Sequence, residues 1–316
     1  MAVLMRASIV SALGTMPSTS VFTSKKFVPS KVNDVEISCP DFHKAFDQIQ
    51  TVSPLAKVAI KREEGYTGFK MADALDTSGL KWKTIERNSN GRGACTTIEK
   101  IEDYKGLGVP IVRFRGSMEG PCIGERFAQM IMNLETRKRW DVQISNVCEA
   151  YPANDLDAVN ILSGAPEYGE AARFGIGYCR TKSNVIVSPR EQLTLCGIQE
   201  FQEQGSTLIW GFEMEDEYNH LLPGSESDRT VRARTHLFST ATVPTGPNSF
   251  DVEYVLQLDI GGKLPSFLTT PVLCETVKSL YREARRYFKS DEPQKFLAAK
   301  DAIEDVFHNR KGILFP

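Results

Sequence analysis

The chain between residues 250 and 259 alternates between apolar and polar side chains, with Val255 as the exception. The apolar positions of one parity are Phe250, Val252, Tyr254, Leu256 and Leu258. A period of two places these side chains on one face of a β-strand, because successive side chains point to opposite faces. The pattern predicts a half-buried antiparallel strand with one face on a core and the other in solvent.

A turn and an amphipathic helix follow this strand directly. Gly261 and Gly262 tolerate positive φ angles, so the extended pattern ends there. Thr270 is the predicted N-cap and Pro271 the first residue of a helix over 271–288. The apolar stripe of this helix consists of Leu273, Val277, Leu280, Ala284 and Tyr287. We expect the helix to cover the dry face of the sheet as a lid, hinged at the two glycines.

Short extended runs separated by turns fill residues 142–258 and predict an antiparallel meander. One run again shows one-sided alternation, with apolar side chains at Leu208, Trp210, Phe212 and Met214. Amphipathic patterns predict an N-terminal helix over 40–50 and a central helix from Gly120 to Arg139. The predicted fold class is therefore α+β.

The chain divides into a tail over 1–38, a domain over 39–288 and a C-terminal helical extension over 289–316. The first 33 residues contain no Asp or Glu and scatter Lys and Arg among Ser and Thr. This composition is typical of an organelle targeting segment, and equally of a disordered tail. The apolar stripe of the extension requires a surface to pack against. Either its own domain supplies that surface, or a protein partner or a membrane does.

The composition excludes several functional classes. The formal net charge is -2, from 38 basic and 40 acidic residues, so the chain lacks the basic surface expected for nucleic-acid binding. Its seven cysteines form no Cys-x-x-Cys pair, which predicts reduced thiols in an intracellular compartment, most simply the cytoplasm. Hydrolase, zinc-protease and nucleotide-binding motifs are absent from the sequence, so we expect no metal, no cofactor and no catalytic residue.

Four local motifs occur in order at the boundaries of predicted elements. They are Arg139-Trp140-Asp141, Ser188-Pro189-Arg190-Glu191, Val231-Arg232-Ala233 and the stretch from Asp259 to Pro265. With these motifs, the chain from Phe42 to Phe288 resembles the StAR-related lipid transfer (START) domain of the Bet v 1-like helix-grip superfamily. The family usually has Arg-Asp where this chain has Arg190-Glu191, a change that keeps the charge pattern. The resemblance implies a curved antiparallel sheet gripping a long C-terminal helix, with N-terminal and central helices.

The resemblance also implies that a hydrophobic lipid occupies a cavity between the sheet and the C-terminal helix. Such a protein transfers the lipid between membranes or senses it. Each buried CH₂ group of a lipid contributes about 0.8 kcal/mol, so a carrier must enclose its ligand and open a gate to exchange it. We therefore expect transient peripheral contact with a membrane.

The candidate cavity residues fall into three groups. The wall group is Trp210, Phe212, Tyr254 and Leu256, and the lid group is Phe267, Leu268, Leu273 and Val277. The third group is Arg113 and Arg234, whose guanidinium groups would favour a phosphate headgroup if they faced inward. Sterol-carrying relatives have a buried arginine where an ungapped count places Cys196, so a phospholipid is favoured over a sterol. Plain core packing explains the apolar residues equally well, and a solvated outer face explains the arginines.

Two other functions are compatible with the sequence. One is a regulatory module in which a ligand controls a protein partner through residues 289–316. The other, less favoured, is a cyclase- or hydrolase-like enzyme. Such an enzyme needs an inward-facing acid or base, for which His236 is the first candidate.

Overall fold

The computed structural model describes residues 42–89, 95–119, 131, 137, 140–152, 170–182, 187–201, 203, 205–214, 216–222, 230–263 and 266–288. The helices are α1 (Phe42–Val52), α2 (Pro54–Lys61), α3 (Phe69–Leu75) and α4 (Ser266–Phe288). The strands are β1 (Lys83–Ser89), β2 (Cys95–Ile101), β3 (Ile111–Glu119), β4 (Ile144–Pro152), β5 (Glu170–Thr181), β6 (Arg190–Phe201), β7 (Ser206–Glu213), β8 (Val231–Arg232), β9 (Arg234–Gly246) and β10 (Ser249–Asp259). Short 3₁₀ turns occupy Tyr104–Gly106 and Asp216–Leu221.

The described strands form one sheet, whose hydrogen-bonded neighbours follow the order β1-β2-β3-β10-β9-β7-β6-β5-β4. Every pairing along this path is antiparallel. The short β8 lies off the path and pairs in parallel with the start of β6. The predicted fold class is confirmed, because a curled antiparallel sheet carries a long C-terminal helix.

The strand register defines two faces of the sheet, and we call the face toward α4 the inner face. On β10 the inner side chains are the predicted apolar set, at the even positions from Phe250 to Leu258. They share one apolar cluster with side chains of β3 and α4, among them Phe114, Leu273 and Val277. The period-two pattern of β10 thus arises because this strand packs directly beneath the helix.

The opposite, outer face is covered by helices over its central strands. Helix α2 packs against β7, β9 and β10. The polar side chains at the odd positions of β10, which are Asp251, Glu253 and Gln257, are buried there. The expectation of a solvated second face is therefore wrong for β10, because the N-terminal helices cover this strand and supply hydrogen-bond partners.

Glu253 is the polar centre of this outer layer. Its carboxylate accepts hydrogen bonds from Ser53 Oγ at 2.5 Å, from the Leu55 amide at 3.1 Å and from Arg115 Nε at 2.6 Å. Ser53 is the N-cap of α2, and its Oγ also accepts from the Ala56 amide. One carboxylate therefore fixes the start of α2 to the middle of β10.

Helix α4 begins at Ser266, so Pro271 lies inside the helix rather than at its first position. The predicted helix start is wrong, although the predicted end at Phe288 is confirmed. A helix can accept a proline near its beginning because only one backbone hydrogen bond is lost there. Residues from Ser266 to Thr270 therefore extend the helix toward the glycine turn.

Some predicted segments lie outside the described residues. These are the tail over 1–38, the extension over 289–316, most of the central helix between Gly120 and Arg139, and the turn residues Leu264 and Pro265.

Candidate functional site

One half of the inner face is filled by large side chains. On β3 and β10 these pack against α4, and the Phe114 and Tyr281 rings lie with their centroids 4.2 Å apart. Tyr281 also donates a hydrogen bond from its hydroxyl to the Ser117 carbonyl at 2.7 Å. Of the predicted lid residues, Leu273 and Val277 are buried in this contact. This half of the face therefore holds α4 in place and leaves little room for a ligand.

The other half of the inner face, on β5, β6 and β7, carries small side chains. Gly177 lies opposite Thr194, and Cys196 Sγ extends over Gly177, 3.2 Å from where a Cβ would stand. On β7 the ring of Phe238 occupies the place that a side chain at Gly211 would need. The inner positions at Gly177, Thr194, Cys196 and Gly211 therefore carry small side chains, and the Phe238 ring fills the room above Gly211.

A polar cluster faces this small-residue half. Arg137 Nε donates to Asp141 Oδ2 at 3.2 Å, and the Asp141 amide donates to the Arg137 carbonyl at 2.9 Å. The Cys179 thiol, hydrogen-bonded to Gln192, and the Tyr254 phenol lie close enough to interact with Arg137 electrostatically. We call Arg137, Asp141, Cys179, Gln192 and Tyr254 the polar cluster.

The polar cluster keeps accessible surface although many protein atoms surround it. For Arg137, 24% of the side-chain surface is accessible. Cys179 and Tyr254 are also only partly buried. From accessible surface on groups that protein surrounds, we infer an internal space beside them, large enough for a water molecule or a ligand atom.

The ionisation of the cluster follows from its surroundings. Burial is the largest single influence and would lower the pKa of Arg137, but Asp141, Cys179 and Tyr254 together raise it above its ordinary value. Burial raises the pKa of the Cys179 thiol, so the thiol stays protonated and weakly nucleophilic. Burial also raises the pKa of Tyr254 to about 12. At neutral pH the cluster therefore presents one fixed cation with its counter-ion, beside a neutral thiol and phenol.

The polar cluster extends along α4. Cys179 pairs with Gln192 across β5 and β6, only two residues, or about 7 Å, from Arg190 at the start of β6. The Gln143 side chain, two residues beyond Asp141, donates to the Thr276 carbonyl of α4 at 3.3 Å. The ring of Trp140, one residue before Asp141, lies with its centroid 6.5 Å from that of Tyr287 near the C-terminal end of α4. The cluster is therefore not confined to one end of the helix.

The predicted hinge glycines form a tightly held turn. Gly261 and Gly262 have φ angles of +68° and +74°, which only glycine adopts without strain. Arg190 donates from Nε to the Ile260 carbonyl at 2.9 Å and from Nη1 to the Ser188 carbonyl at 2.7 Å. The Ser-Pro-Arg-Glu and Asp-Ile-Gly-Gly motifs therefore meet in space, and Arg190 joins them.

The structure separates the predicted wall residues onto two faces. Tyr254 and Leu256 lie on the inner face, as expected for a wall. Trp210 and Phe212 lie on the outer face, where the Trp210 ring meets the edge of Phe46 of α1 with centroids 5.7 Å apart. The alternation along β7 and β10 predicts which side chains share a face of each strand. It does not predict whether that face meets α4 or the N-terminal helices.

The two predicted headgroup arginines are both held by carboxylates of the protein. Arg113 is on the outer face, where it donates to Glu99 Oε2 from Nε at 3.0 Å and from Nη2 at 2.8 Å, and its guanidinium stacks on Trp82 at 4.0 Å. Arg234 is bound by two carboxylates, Glu213 at 2.6 Å and Asp216 at 2.7 Å. Both guanidinium groups are therefore occupied by protein partners.

The remaining lid residues and His236 differ in their surroundings. Phe267 is 75% exposed, and Leu268 is half-buried. His236 Nδ1 lies 2.9 Å from Glu213 Oε2, next to Arg234. Within the described part of the chain, no group of His, Cys, Asp and Glu side chains is arranged to hold a metal ion. None of the described helices is long and apolar enough to cross a bilayer.

Of the polar cluster, the sequence pointed to Tyr254 alone as a cavity residue. Asp141 stands out in the sequence only as part of the Arg-Trp-Asp motif, and Cys179 and Gln192 carry no signal. The spacing of Arg137 and Asp141 by four residues was the available signal, because it places both side chains on one side of a helix. Their inward direction depends on packing that the local sequence does not encode.

Comparison with known proteins establishes the fold. Human STARD10 superposes with a TM-score of 0.54 at 14% identity, over 78% of this chain and 88% of that chain. Human StAR-related lipid transfer protein 5 superposes with a TM-score of 0.53 at 16% identity, over 76% of this chain and 97% of that chain. No family model matches the sequence, and no curated protein matches it significantly. The chain therefore has the START helix-grip fold, as the motifs predicted.

Proposed function

We propose that this chain binds a membrane phospholipid in the internal space beside α4 and carries it between membranes. The observation on which the proposal rests is the Arg137–Asp141 ion pair, in which Asp141 is buried while 24% of the Arg137 side-chain surface stays accessible. Removing such charges from water costs several kcal/mol, so their presence beside a void favours a polar ligand group there.

The chemistry of the pair favours a zwitterionic headgroup. A guanidinium binds a phosphate through two parallel hydrogen bonds, and Arg137 retains accessible surface for this contact. The Asp141 carboxylate beside it would attract an ammonium group on the same headgroup. Cys196 supplies only a weakly polar thiol on the inner face, which gives a sterol hydroxyl no strong anchor.

The small-residue half of the inner face suits the acyl chains. Thr194, Cys196 and Gly177 have small side chains, so we place the acyl chains against them, beneath the apolar side of α4. Extraction of a phospholipid from a bilayer costs on the order of ten kcal/mol unless an equally dry site receives its chains. The named role of human StAR-related lipid transfer protein 5, which shares the fold, supports transfer as the function.

The proposal includes a transient contact with a membrane surface inside the cell. Phe267, exposed at the beginning of α4, would enter the bilayer interface at the moment of exchange. Among the described residues, Cys179, Cys196 and Cys274 are in no disulfide bond, the state expected in a reducing compartment. The proposal contains no catalytic step.

Extraction of lipid from vesicles tests the proposal. The purified chain is mixed with donor vesicles of phosphatidylcholine containing a fluorescent phosphatidylcholine, and transfer to unlabelled acceptor vesicles is followed with time. We expect transfer by the wild-type chain and a loss of about tenfold or more in Arg137→Gln, because a charge-assisted hydrogen bond to phosphate is removed.

Arg234→Gln is the matched control, since Arg234 is bound by Glu213 and Asp216 and should leave transfer unchanged. A parallel series with fluorescent sterol should show little transfer. The proposal fails if the wild-type chain moves no phospholipid, or if Arg137→Gln and Arg234→Gln behave alike while both remain folded.

A further inference from the structure

We propose that the hydroxyl of Thr235 fixes the side-chain amide of Gln192, so that the amide presents N–H groups, rather than its oxygen, to a bound ligand. Thr235 is thus a positioning residue, which determines the ligand class without touching the ligand. A site lined in this way selects a group rich in hydrogen-bond acceptors, such as a phosphodiester, over a single hydroxyl. This inference rests on the proposed function for the presence of a lipid, whereas the orientation of Gln192 depends only on contacts within the protein.

A β-bulge brings Thr235 onto the inner face of the sheet. On β9, Leu237 pairs with Gln257 of β10, whereas Thr235 pairs with Leu258, so the register shifts between the two pairs. Gln257 is buried on the outer face, and Leu258 packs against the apolar cluster of the inner face. Without the shift, Thr235 would share the outer face with Leu237, because residues two apart on a strand point the same way. The bulge therefore turns the Thr235 side chain inward.

The inward hydroxyl of Thr235 is bonded to the amide of Gln192. Thr235 is buried, and its Oγ1 donates to Gln192 Oε1 at 2.8 Å. A buried hydroxyl that loses its partner cannot turn to water instead, so this bond is retained. The amide oxygen of Gln192 is therefore held toward β9. The amide nitrogen is directed away from Thr235, because the oxygen and the nitrogen lie on different sides of the amide carbon.

The amide nitrogen of Gln192 belongs to the polar cluster. Gln192 pairs with Cys179 across β5 and β6. Burial raises the pKa of the Cys179 thiol, and the hydrogen bond with Gln192 opposes that rise. A hydrogen bond lowers the pKa of a thiol when it is donated to the sulfur, so Gln192 Nε2 is the donor. An amide nitrogen carries a second hydrogen, and Gln192 is only half-buried, so one N–H remains for a ligand.

The other polar groups of the cluster are suited to the same kind of ligand. Arg137 carries only donors, and Asp141 accepts from it at 3.2 Å. The Tyr254 phenol stays protonated, because burial raises its pKa to about 12, and it can therefore donate. The non-bridging oxygens of a phosphodiester share a negative charge and accept from several donors at once, whereas a hydroxyl accepts more weakly. A rotated amide would instead direct the Gln192 oxygen toward the phosphate charge.

Vesicle transfer by the full chain tests the selectivity, with fluorescent phosphatidylcholine and fluorescent diacylglycerol as probes. Thr235→Val keeps the shape of the side chain and removes its hydroxyl, so the ratio of phosphatidylcholine to diacylglycerol transfer should fall by roughly tenfold. Thr235→Ser restores the hydroxyl and should return the ratio to within about twofold of wild type. The matched control is Thr207→Val, which removes another buried hydroxyl, bonded to Thr242 at 2.6 Å. It pairs with Glu200, near the other end of β6 from Gln192, and should leave the ratio unchanged.

A double-mutant cycle tests whether Thr235 acts through Gln192. Gln192→Leu removes the amide and should lower the same transfer ratio by about as much as Thr235→Val, without any change on β9. In the double variant, Thr235→Val should add no further loss of selectivity, because the amide that it positions is already gone. Losses that multiply in the double variant would show that Thr235 acts independently of Gln192, and would overturn the proposal.

Alkylation of Cys179 tests the orientation of Gln192 without any lipid. The native full chain is treated with iodoacetamide, and modification of the Cys179 peptide is followed by mass spectrometry. Loss of the hydrogen bond donated to the sulfur should slow modification by about threefold to tenfold in Thr235→Val and in Gln192→Leu, but not in Thr235→Ser or Thr207→Val. If the wild-type chain transfers neither probe, the proposed function fails, while the alkylation rates still decide the orientation. An unchanged transfer ratio in Thr235→Val, or alkylation at the wild-type rate, would overturn the inference.

Discussion

The buried carboxylate of Glu253 offers a sharp test of how the two layers of the domain are joined. Its side chain is fully buried and accepts from Arg115, Ser53 and the Leu55 amide. Burial alone would lower the pKa of Arg115, but Glu253 and Asp73 raise it above its ordinary value, so this arginine stays charged. The substitution Glu253→Gln leaves that charge in place and removes its most buried partner.

The expected cost follows from the burial of the two nearest carboxylate partners of Arg115. Loss of one member of a buried ion pair costs about 3–5 kcal/mol, because the remaining charge stays desolvated. Asp73 also pairs with Arg115, at 2.5 Å, but its side chain is 55% exposed. Asp73→Asn is therefore the matched control, with an expected cost of about 0–1 kcal/mol.

Urea unfolding at neutral pH, followed by circular dichroism, measures both variants. We expect Glu253→Gln to lose at least about 2 kcal/mol more than Asp73→Asn. We also expect the folded fraction of Glu253→Gln to bind phosphatidylcholine like the wild type, because Glu253 faces away from α4. Equal costs for the two variants would refute the assignment of Glu253 as the anchor of α2.

Two further predictions concern the inner face. Cys196→Phe should fill the internal space, abolish lipid uptake and leave the melting temperature unchanged or higher. A decrease of about 1–3 kcal/mol in the free energy of unfolding, typical of an overpacked core, would show that no space exists there. Because burial raises the pKa of Tyr254 to about 12, the neutral phenol stabilises the fold fully below pH 10, and this contribution falls as the pH rises toward 12. At pH 11 the free energy of unfolding of the wild type should be about 1.4 kcal/mol lower for this reason. Tyr254→Phe has no phenol to ionise and should lack this decrease. Urea unfolding of both proteins at pH 8 and pH 11 measures the difference. An equal alkaline loss in both proteins would contradict this.

The sequence predicted those parts of the fold whose pattern is set locally. The alternation of β10 is visible because its even positions all meet α4, and the glycines at 261 and 262 are required by positive φ angles. The order of four motifs was enough to identify the fold, since each lies at a turn or an element boundary. Arg190 and Gly261 even proved to be in contact, although 71 residues separate them.

The candidate site was harder to predict because it depends on layers from distant parts of the chain. Trp210 alternates correctly on β7, but its face is decided by Phe46, far earlier in the sequence. Arg113 is held on the outer face by Glu99 and Trp82 for the same reason. From the sequence alone, polar residues on a strand are predicted to face solvent, because the helices that cover them come from other parts of the chain.

The polar cluster could be anticipated only in part. Arg137 and Asp141 are four residues apart on a helix, which predicts a pair but not its direction. Cys179 and Gln192 come together through the β5–β6 register, and neither residue type signals a binding role alone. A site assembled from a helix end and three strands requires the tertiary structure before its members can be recognised.

Mass spectrometry of the lipids that co-purify with the full chain tests the central claim most directly. Native spectra should show a single phospholipid bound to the wild-type chain, and extraction should identify a zwitterionic headgroup. The same lipid should be depleted in Arg137→Gln and in Cys196→Phe, and retained in Arg234→Gln. A wild-type chain that carries no lipid, or a sterol in place of a phospholipid, would contradict the claim.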